Sequence, residues 1–287
     1  MDMLLQALAQ GLLMGGTYGM VALGMGLIYG VSSIVNFSHG DFLSLGMFLC
    51  FSLYAAFALD PYVSLVFVFP ALAALGALVY RFLIRPIVGN HLLMIIQLTL
   101  GLSFLLQNGL LMVYGGQPLR TPSFMESKLL ILGDVVVRMP LVIAFAASIS
   151  MAGMLYFVLT RTDLGRSIRA VQQNAKAAAL MGVNVSRVQL LTFAFGIALL
   201  AVAAVLLLPG TPIHPNQGMR YTVITLMTVV LGGMSNFAGI LLGGLVIGLA
   251  EAIGTIYVSG VSGMILPYFI FVLIMLFRPA GLLERQG

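Results

Sequence analysis

The stretch VQLLTFAFGIALLAVAAVLLL, residues 188–208, contains no charged side chain. As a helix rising 1.5 Å per residue it would span about 30 Å, the thickness of a bilayer's hydrocarbon core. Its apolar residues are continuous rather than alternating, which points to a helix and away from a barrel strand. A helix satisfies its own backbone in lipid. Runs of the same kind recur at Leu4–Tyr29, Leu43–Leu59, Tyr62–Tyr80, Leu92–Tyr114, Leu141–Leu159, Ala238–Tyr257 and Met264–Phe277. The chain of 287 residues is 61% hydrophobic and 7% charged, with a mean hydropathy of +1.13. A soluble domain carries about 25% charged residues, so this composition excludes one.

These features predict an all-α polytopic membrane protein with eight or nine transmembrane helices. The count turns on Tyr221–Leu231, too short for an ordinary span and readable as half of a broken helix or as a re-entrant segment. No hydrophilic linker divides the chain, so residues 1–287 read as one transmembrane domain. The opening MDMLLQALAQ has an acid and no Lys or Arg, which predicts a retained first span rather than a secretory signal. The lone Cys50 allows no intrachain disulfide, and neither it nor any other pattern suggests a metal site. It reads as a small buried hydrophobe.

The net charge of +5 is distributed as orientation signals rather than as a nucleic-acid surface. The loop Thr160–Arg187 holds Arg161, Arg166, Arg169, Lys176 and Arg187 against Asp163. Arg81 and Arg85 follow the third run, and Arg278 and Arg285 lie near the C-terminus. The other polar loop, Gly115–Arg138, is mixed, with Arg120, Lys128 and Arg138 against Glu126 and Asp134. Placing the basic segments in the cytoplasm predicts an outside N-terminus and an inside C-terminus. Small residues at four-residue spacing, Gly11, Gly15 and Gly19 in the first run and Gly239, Gly243, Gly244 and Gly248 late in the chain, predict close helix packing within the molecule.

Polar residues are scarce, so their clusters stand out. IVNFSHGDF, residues 34–42, gathers Asn36, Ser38, His39 and Asp41 between two apolar runs. Neighbours this close in sequence do not converge as a catalytic relay, and no GxSxG, HExxH or P-loop pattern is present. The stretch reads as a polar break at the cytoplasmic turn, with Ser38 or Asp41 capping the second helix. Glu251, inside an apolar run, should face the bundle interior or a watery path. Gln97, Thr99, Gln107 and Asn108 in the fourth run line a route or bind a neighbouring helix. His91, His214 and Arg220 fall in predicted loops, where solvation accounts for them.

The Thr160–Arg187 loop is the most informative part. Thr162 or Asp163 can cap a helix on which Leu164, Ile168, Val171, Ala175 and Ala178 share one face. Arg166, Arg169, Gln173 and Lys176 share another, and Gly182 ends the helix. Such a helix lies on anionic lipid headgroups or docks a soluble cytoplasmic partner. Its narrow, alanine-rich stripe suits a protein groove better than a bilayer.

Gly165, Arg169, Ala170, Asn174, Ala177, Gly182, Val183 and Asn184 form G-x-x-x-R-A-x-x-x-N-x-x-A-x-x-x-x-G-V-N, which resembles the coupling loop of ABC importer permeases. More narrowly it resembles the permeases for branched-chain amino acids. GTYGMVALGMGLIYGVSSIVNFSHGDF, residues 16–42, is similar to that family's N-terminal signature. VLGGMSNFAGILLGG, residues 230–244, is similar to its late signature, departing at Ser235, Asn236 and Phe237. In LLAVAAVLLLPG alanines stand where relatives often have glycines. The resemblance implies a multi-pass subunit of the bacterial inner membrane, itself without enzymatic chemistry. It implies three kinds of company besides lipid: a second homologous permease, two cytoplasmic ABC ATPase subunits that bind the ATP, and a periplasmic solute-binding protein. Gly165, Arg166, Arg169, Ala170, Asn174, Lys176 and Gly182 would then couple to an ATPase. Asn36, Ser38, His39, Asp41, Gln97 and Glu251 would line the path or its gate. The solute would be a branched-chain or related amino acid, with urea or an amide also within the family's range. Two other classes stay open: a secondary transporter using Glu251 and the Asp41 region as an ion site, and a passive channel.

Overall fold

The computed structural model describes residues 2–89, 91–133, 135–234, 236–257, 265–278 and 281–282; Asp134, Ser235, Met264 and Arg285, noted above, lie outside them. Its helices in chain order are α1 (Asp2–Ser32), α2 (His39–Phe57), α3 (Pro61–Val79), α4 (Leu92–Tyr114), α5 (Met139–Arg161), α6 (Asp163–Gln173), α7 (Ala175–Leu180), α8 (Val185–Leu207), α9 (Gln217–Gly232), α10 (Phe237–Tyr257) and α11 (Ile265–Phe277). α3 runs on through a wider turn and a tight one to Ile87. Between α4 and α5 a short antiparallel hairpin pairs β1 (Leu129–Leu132) with β2 (Val135–Arg138), in the register Leu129 to Arg138. Among the described residues, seven helices are long and apolar enough to cross a membrane. Beside them stand the shorter apolar α11 and the 16-residue α9.

α1 and α8 form the buried centre. α1, at 31 residues, is about 46 Å long, and α10 runs against it with backbones touching. A β-carbon on Gly15 would sit 2.6 Å from the Leu245 Cα and 2.8 Å from the Gly244 carbonyl oxygen. Only glycine allows that approach, and it brings dispersion contacts that stand in for the absent hydrophobic drive in lipid. The glycine spacing thus serves packing inside the chain. α8 is buried along most of its length, and its Ala198, Ala201, Ala203 and Ala204 are fully covered. The alanines of that run keep its sides slim where α1, α2 and α3 close around it. Cys50 is a buried member of this core.

The start of α2 differs from the sequence expectation. The chain leaves α1 at Ser32 and turns at Ser33, whose φ is 52°. It then folds back, so that His39 Nε2 lies 3.1 Å from the carbonyl oxygen of Val21. Val21 is eleven residues before Ser32, about 16 Å along α1. The polar motif is therefore not a turn at the membrane surface, and α2 begins inside the bundle. α9, of 16 residues, meets that start. Both helices start against protein, which covers the backbone groups that a helix end leaves free.

The two ends of the bundle are distinct. At one end Gln6 and Val136 exchange hydrogen bonds of 2.6 and 3.0 Å, tying the start of α1 to the hairpin. There the Leu119 and Ile213 backbones also pair, joining the loops before the hairpin and before α9, and Asp60 accepts from Ser123 and the Phe124 amide. At the other end the last turns of α1 meet α6. Leu282 returns there to donate to the Leu231 carbonyl at 2.7 Å.

Candidate functional site

The first cluster is built at the start of α2. Asn36, Ser38, His39 and Asp41 are all fully buried. The expected cap is absent: Ser38 donates from its amide and its hydroxyl to Asn36 Oδ1, at 3.1 and 2.7 Å, instead of serving α2. Asp41 likewise turns away from its own helix. Its carboxylate accepts from Ser103 Oγ at 2.5 Å and from Gln107 Nε2 at 2.9 Å, one turn apart on α4. Gly40 N donates to Thr222 Oγ1 of α9 at 2.9 Å. Gly40 and Gly218 let the helices meet here, since a β-carbon on Gly218 would collide with the Asp41 carboxylate.

A buried carboxylate without a cation costs several kcal/mol unless hydrogen bonds replace its water, and bonds to a charged acceptor are each worth about 1.5–3 kcal/mol. The Ser103 and Gln107 bonds therefore clamp α4 to α2. α4 is otherwise poorly covered, so this polar joint adds to the packing of Ile95, Leu102 and Leu110 in holding it. Asn36 Nδ2, His39 Nδ1 and Ser44 Oγ are buried without a protein partner among the described residues. The site keeps spare polar capacity.

Gln97 is not part of this joint. It lies six residues before Ser103, about 120° round the helix, and is exposed, as is Asn108. Gln107→Ala is expected to lower transport at least fivefold with the chain still in the membrane. Gln97→Ala should leave it unchanged. Uptake assays normalised to membrane content check the pair, and equal effects would count against the joint.

The second cluster surrounds Glu251 on α10. Tyr18 of α1 donates to Oε2 at 2.7 Å and Arg220 of α9 to Oε1 at 2.7 Å. The Glu251 side chain is 9% exposed and that of Arg220 45%. Arg220 is thus no loop residue: it sits in the first turns of α9 and supplies the countercharge that an acid in an apolar helix needs. Arg220 and Tyr18 line a cavity of about 480 Å³, together with the hairpin and Pro209–Thr211. Glu251 itself faces a pocket of about 70 Å³ beside Pro267 and Tyr268 of α11. Asp41 and Glu251 share no hydrogen-bond partner, so the structure does not assemble the two carboxylates into one ion site.

The loop after α5 departs from the sequence expectation twice. It forms two helices rather than one, because Asn174 takes an extended conformation (φ −160°, ψ 103°) and caps α7 through the Ala177 amide at 3.0 Å. Thr162 caps α6 through Gly165 N at 3.1 Å, and Gly182 closes the unit at φ 87°. The apolar stripe is also not free. Ile168, Val171 and Ala178 are buried against Leu155, Leu159, Leu27 and Val188 of the same chain. Gly165 is pressed onto the α5 carbonyls of Val158 and Leu159. The stripe anchors the loop, leaving Arg166, Arg169, Gln173, Asn174 and Lys176 exposed, with Ala170 half-buried. Arg166 pairs with Asp163. Leu180 and Met181, 89% and 85% exposed, form an apolar tip.

Sequence reasoning missed Tyr18, Ser103 and Thr222, and misplaced Arg220. Ser103 and Gln107 at i and i+4 form a polar pair in an apolar helix, a signal that was available. Tyr18 gave none, because a phenol in an apolar helix is ordinary.

A family model described as the branched-chain amino acid transport system permease component matches residues 7–277. The chain is 31% identical to the high-affinity branched-chain amino acid transport system permease protein BraD of Pseudomonas aeruginosa, over 98% of this chain and 96% of the relative. It is 28% identical to the permease protein LivH of Salmonella typhimurium over the same shares. A probable branched-chain amino acid transport permease of Methanocaldococcus jannaschii is 26% identical over 92% of this chain and 87% of its own. No solved structure matches.

Proposed function

The chain belongs to the branched-chain amino acid transport system permease family, whose members are permease subunits of ABC importers, and on that premise we propose that it carries branched-chain or closely related amino acids across the bacterial inner membrane. It acts as one membrane domain with its N-terminus and hairpin outside and α6–α7 in the cytoplasm. It works beside a second, homologous permease. A solute-binding protein delivers the amino acid at the hairpin end. Two ATPases bind and hydrolyse the ATP, and this chain contributes no chemistry of its own.

The observation that carries the reading is the α6–α7 unit. Most of its apolar side, Ile168, Val171 and Ala178, is committed to α1, α5 and α8, while Leu164 is 39% exposed, and it presents basic side chains with the Leu180–Met181 tip. A lipid-lying helix would turn its apolar side outward instead. A surface rigidly tied to α1 and α5 can pass an ATPase's displacement to the spans that carry Tyr18 and, through α9, the Asp41 joint.

Complementation tests the solute. In cells lacking their own branched-chain permeases but retaining the partner subunits, this chain should restore leucine uptake, with isoleucine and valine competing. Uptake of urea or an amide without leucine would overturn the assignment.

A further inference from the structure

The cavity at the hairpin end has no part in ATPase docking, and its lining is chemically divided. We propose that it is the outward-facing subsite for the translocated solute, an α-amino acid with an uncharged aliphatic side chain, whose carboxylate is held by Arg220. The inference rests on the amino-acid reading above.

The lining and its hydrogen bonds carry it. Arg220 lines the cavity yet gives only Nη2 to Glu251, and a guanidinium has five N–H donors. Its remaining donors are those a carboxylate would use, in the paired geometry that arginine favours. Glu251 cannot swing aside freely, since Tyr18 holds its other oxygen at 2.7 Å. The arginine is thereby fixed in place before any ligand arrives, which lowers the ordering cost of binding. Arg138 lines the same cavity from the hairpin, with Nη1 3.4 Å from the Gly210 carbonyl. Both charged side chains of the lining are cations, with Glu251 paired to Arg220 and Glu126 close to Gly210 just outside it, so the lining itself biases the cavity toward an anionic group.

Met14, Leu141, Ala144, Leu206 and Leu207 also line the cavity, a surface for an alkyl side chain and not for a charged one. The volume of about 480 Å³ lies within the roughly 300–1,000 Å³ usual for small-molecule sites. Pro209, Gly210 and Thr211 of the lining lie at the hairpin end, the face where the binding protein would deliver.

The test uses the chain assembled with its ATPases in lipid nanodiscs, without the binding protein, and radiolabelled leucine as probe. Leucine should bind saturably, and leucinol, which keeps the side chain and ammonium but lacks the carboxylate, should compete at least tenfold less well. Arg220→Gln and Arg138→Gln should each weaken leucine binding at least fivefold, while Ser150→Ala, on the outer side of α5, should not. If Arg220→Gln fails to assemble, Arg138→Gln and the leucinol comparison decide. Equal competition by leucinol overturns the proposal, as does unchanged leucine affinity in the arginine variants that assemble. So does absence of saturable binding in a complex that, moved into proteoliposomes with ATP inside, still accumulates leucine once the binding protein is added; that result leaves the transport reading standing. Failure of the complete system to take up leucine sinks the transport reading itself.

Discussion

Gly244→Leu is expected to remove the folded protein from the membrane. Gly244 lies where α10 crosses α1, and a β-carbon there would sit 2.5 Å from the amide nitrogen of Gly19 and 2.6 Å from the carbonyl oxygen of Gly15. The obstructing atoms are backbone, so no rotamer change can relieve them. α1 and α10 would have to part, and both helices contribute to the packing beneath the Tyr18–Glu251–Arg220 network. Overpacking a core typically costs about 1–3 kcal/mol, occasionally more; a wedge between two central helices belongs at or above the top of that range. Gly153→Leu is the control, since nothing lies within 4 Å of a β-carbon at that position on α5. The amount of monodisperse protein extracted from membranes reads the difference. Similar yields for the two variants would contradict the packing described.

Arg166→Glu with Arg169→Glu should lower ATP-driven uptake at least tenfold while leaving the protein in the membrane at its normal level. Both side chains are exposed, and the Arg166–Asp163 pair is a solvent-screened i,i+3 contact of the kind worth about 0–1 kcal/mol. Folding therefore has little stake in them, whereas a docking partner chosen by charge has much. Ile168→Asp should behave in the opposite way. Ile168 is buried against the chain's own helices, so a carboxylate there should cost membrane yield before it costs coupling. Normal uptake in the double arginine variant would remove α6–α7 from the coupling role.

The apolar runs were legible because bilayer thickness sets their length, and Leu92–Tyr114 was bounded correctly to the residue. Close packing of Gly15 and Gly244 was also legible, since small residues at four-residue spacing have few other uses in lipid. What failed were decisions made by tertiary partners. The stripe of Ile168 and Val171 showed an amphipathic helix but not which body would cover it. Asn174 read as one more helical residue, although its side chain competes for the backbone and can start a new helix. IVNFSHGDF looked like a surface turn because polar residues normally end a span. Only the fold shows the chain doubling back along α1, with Asp41 answered by Ser103 and Gln107 from another helix. Arg220 was assigned to a loop on the strength of the prolines before it; the need of Glu251 for a cation was the clue that joined them.

Proteoliposomes holding this chain with its second permease and ATPases test the central claim most directly. Leucine accumulation should require both ATP inside and the loaded binding protein outside, and should be indifferent to imposed proton or sodium gradients. Accumulation that follows either gradient without the ATPases, or equilibration without accumulation, would contradict the account.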